Sequence, residues 1–379
     1  MKVHLGEHHL TVETTTGHVL RLDAEGRWGT FRQEEKLFRR TLENEVVQKI
    51  QHGYQNLDSG QANLIHEQAH AFLAGVLSQS KQAPDSIRWA GSIRDLSVLS
   101  QRLLESLKWT PEQIEKETFR FQQAYPESIP ILPPDRYQNV VVLPARGCPN
   151  SQCTFCAFYQ GIRFRILSLE EFEDHVRKVS DLLGRAVSNR SGLFLGSASA
   201  LSLSQKRLLD ILEIVSQYFP QFSEDMACFM DPDHSPRRTT AEYAQLRDAG
   251  LNMVTLGLET GWSELRRSMN KSADISAVIK TVQTQKAGGM RCAITVLAGL
   301  EAPDLNGEPD VATHHLTATV DAIQRMELEK NDIVYLSPLD GHSWSAGISQ
   351  EMEQFREMLQ SATKARIIPY LIHRFRYFA

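Results

Sequence analysis

The most informative stretch of the sequence is Arg146-Gly-Cys148-Pro-Asn-Ser-Gln-Cys153-Thr-Phe-Cys156-Ala-Phe-Tyr159, directly behind the apolar run Val140-Val-Val-Leu143. Three closely spaced cysteines on a loop after a strand are typical of a metal site. Structural zinc takes four protein ligands, and no fourth cysteine or histidine follows closely. The spacing therefore favours an iron-sulfur cluster with one open metal position. The alternatives are a zinc knuckle completed by a distant ligand, or buried thiols without a metal.

The composition is that of an ordinary globular protein. The chain has 379 residues, of which 41% are hydrophobic and 23% charged, and its net charge is -5. This balance predicts no general attraction to nucleic acid or to an anionic membrane. The first residues lack the apolar core of a signal peptide, and no stretch approaches the roughly 18 apolar residues of a membrane span. We therefore expect a cytoplasmic protein.

The cysteine count agrees with a reducing compartment. Besides the three cysteines of the quoted stretch, the chain contains only Cys228 and Cys292. A disulfide framework is not expected from this usage, whereas metal-bound thiols are. Two remaining cysteines also cannot hold a second cluster that needs three or four protein thiols.

The first 135 residues predict a domain of their own, made of a β-hairpin and helices. Residues 1–32 alternate apolar and polar side chains, as in Leu10-Thr-Val-Glu13, which predicts an antiparallel hairpin or a meander. Helical patterns follow near 61–79, 94–107 and 111–124. Residues 125–134 contain four prolines and mark a linker.

Beyond the linker the pattern alternates between strands and helices. Strands are predicted near 138–144, 192–196, 226–230, 252–258, 291–298 and 332–337. Helices are predicted near 169–185, 205–218, 239–249, 274–287 and 311–327. Six βα units predict an α/β fold, a (βα)6 partial TIM barrel over residues 136–345, followed by a C-terminal helix and tail over 346–379. Ligands bind at the carboxyl ends of parallel strands, and the three cysteines follow the end of the first strand.

The cysteine stretch resembles the radical S-adenosylmethionine (SAM) superfamily. The usual loop of that family is C-x3-C-x2-C with an aromatic residue before the last cysteine. This chain has Phe155 in that place and one extra residue between the first two cysteines. The resemblance implies a [4Fe-4S] cluster held by Cys148, Cys153 and Cys156, whose fourth iron binds the amino and carboxylate groups of SAM. It also implies reductive cleavage of SAM to a deoxyadenosyl radical, with electrons from a flavodoxin or a ferredoxin.

Later segments resemble the oxygen-independent coproporphyrinogen oxidase-like branch of that superfamily, over residues 138 to about 345. Little follows the sixth strand, where that oxidase has a long C-terminal domain, so the same activity is not expected. The resemblance implies that Glu259 bonds the ribose of SAM and that Lys271 binds its carboxylate. The cofactor-binding residues that it implies are Phe155, Gly196, Ser197, Ser199, Glu259, Lys271 and Thr295.

Polar residues near the strand ends are candidates for contact with the substrate, which is a small molecule or a peptide that the sequence does not name. Only their position indicates this role, and a solvated loop residue is the alternative for each. The candidate catalytic residues are Tyr159, Arg165, Asp231 and His234, and Arg163, Asp233, Asp340 and His342 share their position. Without thiols for a second cluster, methylthiolation and sulfur insertion are disfavoured.

A second motif predicts a different activity. His66-Glu67-Gln-Ala-His70 fits H-E-x-x-H, which on a helix places two imidazoles around zinc with Glu67 as general base. Such a zinc-dependent hydrolase needs a third ligand, for which Asp95 and Glu105 are candidates only by position. A further alternative is an iron-sulfur protein that senses, or assembles another protein's cofactor, without turnover.

Overall fold

A computed structural model describes residues 1–51, 53–127, 129, 131–300, 311–339, 346–372 and 375–379. Contacts divide the chain into two units. The first comprises Met1–Ser128, Arg177–Ser191 and Arg376–Ala379, and the second comprises Ile129–Val176 and Gly192–Phe375. Within the described ranges, no helix has both the length and the apolar content that crossing a membrane requires.

The first unit contains an eight-stranded sheet. Its strands are β1 (Lys2–Leu5), β2 (Leu10–Glu13), β3 (Val19–Leu22), β4 (Trp28–Gln33), β5 (Lys36–Arg40), β6 (Val46–Ile50), β7 (Gly53–Asn56) and β8 (Arg88–Trp89). Strands β1 to β7 form an antiparallel meander in chain order, and β8 pairs parallel to β1. The hairpin or meander predicted for residues 1–32 was therefore too short. Its continuation lacks a clear apolar alternation, because Arg40 is fully buried in β5 and no residue of β7 is buried.

Three helices complete most of this unit: α1 (Ser59–Gln82), α2 (Leu96–Ser106) and α3 (Pro111–Ala124). They occur where the helical patterns predicted them. Helices α1 and α2 pack on the sheet, since Leu73 and Leu99 join one apolar core with Val3, Leu20 and Trp28. Burial of these apolar side chains is the main stabilising contribution to the unit.

The second unit contains a parallel sheet of seven strands. The strands of this part of the chain are β9 (Val140–Val142), β10 (Ala145–Arg146), β11 (Arg165–Ile166), β12 (Leu193–Leu195), β13 (Met226–Met230), β14 (Leu251–Glu259), β15 (Arg291–Ala298), β16 (Ile333–Pro338) and β17 (Arg366–Pro369). The sheet order is β17-β16-β15-β14-β13-β12-β9, and β10 and β11 form a separate antiparallel pair.

Helices connect the parallel strands, as the alternating pattern predicted. They are α4 (Leu169–Leu183), α5 (Gln205–Tyr218), α6 (Thr240–Asp248), α7 (Ser263–Ser268), α8 (Ile275–Ala287), α9 (Val311–Arg325) and α10 (Ala346–Ala362). Strands β9 and β12 are wholly buried and apolar, which is typical of parallel strands covered on both faces. Parallel pairing brings the carboxyl ends of all seven strands to one edge of the sheet.

The seventh parallel strand corrects the C-terminal tail predicted for residues 346–379. Strand β17 pairs with β16 from Ile333 opposite Arg366 to Leu336 opposite Pro369. The sequence pattern conceals it because the strand has only four residues, begins with a charged side chain and ends in proline. Proline is tolerated at a sheet edge, where its missing N–H removes no ladder bond. The residues after β17 therefore reach the same edge as the cysteine loop.

Candidate active site

A cavity of about 360 Å3 lies at the carboxyl ends of the parallel strands. Its wall combines the three clustered cysteines with residues from the ends of β12 to β17. The lining residues are Ile131, Cys148, Asn150, Cys153, Phe155, Cys156, Ala157, Phe158, Tyr159, Ala198, Phe229, Met230, Asp231, Thr255, Gly257, Glu259, Lys271, Thr295, Leu297, Ser337, Leu339, Tyr370 and Ile372. The structure thus brings the predicted thiols and the predicted strand ends to one place.

The thiol loop, residues 147–156, begins with a glycine that no other residue can replace without strain. Gly147 has a φ of +66°, and a Cβ there would lie 2.8 Å from the carbonyl oxygen of Ile162. The next residue, Cys148, donates its thiol hydrogen to the carbonyl oxygen of Asn150, with an Sγ to oxygen distance of 3.1 Å. The loop therefore turns sharply from the strand end into the cavity wall.

Two amide hydrogen bonds connect the thiol loop to the segment before Lys271. The side chain of Asn150 donates to the carbonyl oxygen of Asn270 at 3.2 Å, and the side chain of Asn270 donates to the carbonyl oxygen of Gln152 at 2.9 Å. Asn270 has a φ of +57°, a left-handed conformation that asparagine tolerates better than most residues. The positions of the thiols and of the Lys271 side chain are therefore coupled.

Burial holds the three thiols in their neutral form. It raises the pKa of Cys148 to about 12 and that of Cys153 to about 11, and it also raises the pKa of Cys156. Iron binds the thiolate, so cluster binding must release these protons. Among the described residues, no group of three His, Cys, Asp or Glu side chains is arranged to hold a single metal ion. The separate irons of a cluster need separate thiolates, which this wall supplies.

A buried ion pair lies on the same wall. Lys271 Nζ is 3.6 Å from Glu259 Oε1, and the two side chains are 5% and 9% exposed. Burial raises the pKa of Glu259, an effect that Lys271 opposes. Burial alone would lower the pKa of Lys271, but Asp231 and Glu259 raise it. The pair is therefore a cation and a carboxylate held together out of water, where such charges need partners.

The conformation of Glu259 is strained and locally specified. Its φ is +65°, and the register of β14 with β15 shifts between Gly257 and Glu259. Such a bulge redirects a side chain at the end of a strand. A Cβ at Gly257 would lie 2.4 Å from Glu259 Oε1 and 3.4 Å from Lys271 Nζ, so this glycine leaves room for the pair. Strain of this kind is concentrated at functional sites.

Asp231 lines the cavity, as its position after β13 predicted, whereas Asp233 has a structural role. Burial alone would raise the pKa of Asp231, but Lys271, the backbone N–H of Asp233 and His234 hold it below its ordinary value. Asp233 accepts two hydrogen bonds from the guanidinium of Arg266, at 3.2 and 2.9 Å. Arg266 is fully buried, so Asp233 neutralises it and is not available to a substrate.

The small-residue run after β12 lies beside the cavity, where only Ala198 is among the lining residues. Gly196 packs against β9, because a Cβ there would lie 2.5 Å from Leu143 Cδ2. Ser199 Oγ accepts a hydrogen bond from the backbone N–H of Asp231 at 3.1 Å. Ser197 has a φ of +69°, and its buried hydroxyl has no hydrogen-bond partner among the described residues. An unpaired buried hydroxyl in a strained turn is the feature here that fits a ligand.

The remaining sequence candidates divide into residues on the cavity wall and residues away from it. Phe155, Tyr159 and Thr295 line the cavity. Arg165 does not, since it is exposed on β11 and bonded to Glu171 at 2.8 Å. Arg163 and His234 are also absent from the wall, although His234 lies 3.4 Å from Asp231. Asp340 and His342 lie outside the described residues.

Sequence reasoning missed three polar residues of the wall, Thr255, Ser337 and Tyr370. Thr255 and Ser337 are fully buried inside apolar strands and look like ordinary β-formers in the sequence. Tyr370 follows β17, the strand that was not predicted. A polar residue inside an otherwise apolar parallel strand is the signal that identifies Ser337, because a buried hydroxyl there requires a partner.

The H-E-x-x-H motif lies on α1, where both imidazoles have protein partners. His66 Nδ1 accepts a hydrogen bond from the indole N–H of Trp28 at 3.1 Å, and His70 Nε2 lies 3.0 Å from the carbonyl oxygen of Leu107. Of the suggested third ligands, Asp95 caps α2 and Glu105 binds Arg185 at 3.2 Å. No observation favours the zinc-dependent hydrolase, and both histidines have structural partners in the first unit.

The buried His66 predicts a loss of stability in mild acid. Burial and the nearby Arg40 lower the pKa of His66 to about 4, so the folded protein keeps it neutral where the unfolded chain, with a pKa near 6.5, binds a proton. The unfolded state is therefore favoured progressively as the pH falls from about 6.5 to about 4, by up to about 3 kcal/mol. Urea unfolding at pH 7 and pH 4.5 should show this loss, and His66→Gln should reduce it. Equal losses in both proteins would contradict the prediction.

Comparison with known protein families assigns the domain that contains the cavity. Residues 142–304 match the family described as Radical SAM superfamily. The chain carries a radical SAM domain. The matched segment is less than half of the chain, but it contains all three clustered cysteines, Glu259 and Lys271. The family resemblance predicted from the sequence is confirmed, and with it a [4Fe-4S] cluster and SAM as the cofactors that this family of enzymes implies.

Solved structures similar to the radical SAM domain are those of other radical SAM enzymes. Coproporphyrinogen III oxidase from Escherichia coli is 16% identical, with 64% of this chain and 54% of that chain covered and a TM-score of 0.41. Methylornithine synthase is 15% identical, with 69% and 78% covered and a TM-score of 0.39. The methyltransferase TsrM from Kitasatospora setae is 17% identical, with 53% and 36% covered and a TM-score of 0.39.

These structural likenesses do not assign a reaction. The TM-scores are all below 0.5, and this chain spans only about a third of the length of the methyltransferase. A search of curated proteins returned no significant match. The radical SAM domain therefore identifies the family, while the substrate must be inferred from the cavity itself.

Proposed function

We propose that this chain is a radical SAM enzyme that binds a [4Fe-4S] cluster through Cys148, Cys153 and Cys156 and cleaves SAM reductively to start radical chemistry on a substrate. One observation carries the proposal. The three cysteines and the buried Glu259–Lys271 pair line a single cavity inside the segment that matches the family. When bound together, the cluster and SAM supply a deoxyadenosyl radical that removes a hydrogen atom from an unactivated carbon.

The charged and unpaired groups of the wall fit the parts of SAM that need partners. Lys271 would bind the methionine carboxylate, and Glu259 would accept hydrogen bonds from the ribose hydroxyls. The unpaired hydroxyl of Ser197 offers an acceptor for the amino group, with Gly196 and Ser199 holding the turn that presents it. These assignments use groups that the protein keeps out of water, where each hydrogen bond is strong.

The apolar part of the wall supports the same proposal. Phe155 faces Lys271, with its ring centre 6.0 Å from Nζ, and would pack against bound SAM. Thr295 lies on the cavity side of β15, beside the position proposed for adenine. Phe229 and Leu297 exclude water from the space between them. A dry cavity protects a reactive radical from unproductive quenching and fixes its distance to the substrate.

The proposal includes the architecture, location and partners of the enzyme. The catalytic domain is a partial barrel based on (βα)6, to which we add residues 346–372 because β17 extends the sheet. Residues 1–135 form the N-terminal domain. All five cysteines are free thiols, which supports a reducing, cytoplasmic location and a flavodoxin or ferredoxin as the electron donor.

The direct test is SAM cleavage by the anaerobically reconstituted protein. With dithionite as reductant and no added substrate, the protein should convert SAM to 5′-deoxyadenosine and methionine, which chromatography with mass detection measures. The same sample without reductant is the control. A protein that binds iron and sulfide but releases no 5′-deoxyadenosine would overturn the enzymatic proposal and favour a sensing or assembly role.

Replacing Lys271 by Met is expected to weaken SAM binding at least about 10-fold. A hydrogen bond to a charged group contributes more than a neutral one, and its loss leaves the SAM carboxylate facing Glu259 and Asp231 without a cation. The dissociation constant of SAM for the cluster-loaded protein, measured by equilibrium dialysis, provides the test.

The matched control for this substitution is Lys286→Met. Lys286 also forms an ion pair, with Asp332, but it is not part of the cavity wall. It should leave the SAM dissociation constant within about twofold of wild type. If Lys271→Met bound SAM as tightly as Lys286→Met, Lys271 would have no place in the SAM site.

A further inference from the structure

The charge on the cavity wall is unevenly distributed. Its charged side chains, Asp231, Glu259 and Lys271, all follow β13 and β14. Near β16 and β17 the described part of the wall is uncharged and consists of Ser337, Leu339, Tyr370 and Ile372. Under the proposed function, the charged methionine part of SAM belongs to the first side. The second side is left for another molecule.

Tyr370 is the main polar group on the uncharged side. It follows β17, its backbone N–H donates to the carbonyl oxygen of Leu336 at 2.8 Å, and the residue is only 2% exposed. Its hydroxyl is buried and has no hydrogen-bond partner among the described residues. The neighbouring Tyr335, whose ring centre lies 5.5 Å away, differs because its hydroxyl donates to Asp135.

The unpaired hydroxyl of Tyr370 stays protonated. Burial raises the pKa of Tyr370 well above its ordinary value, and the phenols of Tyr137, Tyr335 and Tyr159 and the carboxyl of Glu259 raise it further. A neutral phenol donates one hydrogen bond and accepts others, but it does not attract a cation as a phenolate would. A buried hydroxyl without a partner is unfavourable and rare, so its presence on a cavity wall indicates a ligand that completes it.

We propose that the β16–β17 side of the cavity is the substrate subsite and that the Tyr370 hydroxyl is its hydrogen-bonding anchor. The part of the substrate that enters it is uncharged and largely apolar, and it carries one oxygen or nitrogen acceptor for the phenol. Leu339 and Ile372 contact the apolar part, and Ser337 lies beside the acceptor. This inference rests on the proposed function, which assigns the charged side of the wall to SAM.

Stability measurements test whether the hydroxyl is unpaired. Removing an unsatisfied buried hydroxyl is neutral or stabilising, whereas removing a bonded one is destabilising. Tyr370→Phe should therefore unfold at a temperature no lower than wild type, while Tyr335→Phe should unfold roughly 1 to 3 °C lower. If Tyr370→Phe were destabilised as much as Tyr335→Phe, the hydroxyl would have a structural partner and the proposal would be overturned.

Binding measurements test the chemistry of the subsite. The probes are cyclohexanecarboxamide, cyclohexanecarboxylate and cyclohexylammonium, which share one apolar body, titrated into cluster-loaded, SAM-bound, unreduced protein and followed by saturation-transfer NMR. The amide should bind more tightly than either ion. Tyr370→Phe should weaken its binding about 3- to 10-fold, the effect of one neutral hydrogen bond, and Tyr335→Phe should not.

Tighter binding of an ion, an amide affinity that Tyr370→Phe leaves unchanged, or no measurable amide binding would overturn the proposal. These outcomes are separate from failure of the proposed function, which is measured as absent 5′-deoxyadenosine in the wild-type protein. Cleavage of SAM together with Tyr370-independent probe binding refutes only the subsite. Tyr370-dependent probe binding in a protein that never cleaves SAM refutes only the enzymatic proposal.

Discussion

Replacing Cys156 by Ala is expected to abolish the brown colour, the iron content and the formation of 5′-deoxyadenosine together. Each of the three thiols of the loop holds one iron, and no other described cysteine lies on the cavity wall to take the place of a lost one. The same loss is expected for Cys148→Ala and for Cys153→Ala. Iron and sulfide analysis of the anaerobically reconstituted variants, with the visible absorption spectrum, measures the effect.

Cys228→Ala and Cys292→Ala are the matched controls. Both thiols are fully buried in strands of the same sheet, β13 and β15, and neither lines the cavity. These variants should keep wild-type iron content and cleavage, although each leaves a small void in the core. Full iron content in Cys156→Ala, or its loss in both controls, would contradict the assignment of the cluster to the thiol loop.

The largest effect on stability is expected for Glu117→Gln. Glu117 is 5% exposed, and its two carboxylate oxygens accept hydrogen bonds from Arg27 and Arg40, which are 1% and 0% exposed. Arg27 keeps Asp23 as a second partner, but Arg40 loses its only carboxylate partner among the described residues. Removing one member of a buried ion-pair network leaves an uncompensated charge out of water, which costs about 3 to 5 kcal/mol.

The control for this prediction is Glu112→Gln on the same helix. Glu112 pairs with Lys116 at 2.7 Å, but both side chains are exposed. Water and salt screen such a pair, so its loss should leave the urea midpoint unchanged. If Glu117→Gln unfolded at the same urea concentration as Glu112→Gln, the buried network would contribute nothing measurable to the first unit.

The sequence predicts the part of the site that depends on short-range spacing. Three thiols within nine positions must lie close together wherever the chain goes, and a carboxylate that ends an apolar strand must reach the ligand edge of a parallel sheet. For the same reason the six predicted strands are all present. The cysteines and Glu259 were therefore identifiable without a structure.

Position at a strand end does not determine where a side chain points. Arg165 and His234 satisfied that criterion, but Arg165 is exposed and bonded to Glu171, and His234 is not part of the wall. Asp233 satisfied it too, and its carboxylate is used to neutralise Arg266. Such local partners depend on residues distant in the sequence, which a single sequence does not pair.

Tyr370 illustrates what only the three-dimensional pairing reveals. It lies more than 200 residues after the thiol loop, in a segment whose proline and charged residues resemble a tail. Its place on the cavity wall follows from the pairing of β17 with β16, and its importance follows from the unpaired hydroxyl. Neither fact has a signature in the local sequence. The N-terminal meander was underestimated for a related reason, because buried Arg40 interrupts its apolar pattern.

The strained residues around the cavity support a functional rather than a structural interpretation of its wall. Ser197, Glu259 and Asn270 all have a positive φ, and each stands beside a group proposed to contact SAM or belongs to that set. A left-handed conformation costs a non-glycine residue roughly 1 to 2 kcal/mol, which the surrounding fold must offset. Three such residues in one site indicate that geometry there is held for a ligand.

The most direct test of the account is the electron paramagnetic resonance spectrum of the reduced, reconstituted protein before and after addition of SAM. Because three thiolates leave one iron of the cluster open, we predict the signal of a reduced [4Fe-4S] cluster that changes when SAM binds. A colourless protein that contains zinc and no iron, or a cluster signal that SAM leaves unchanged, would contradict the account.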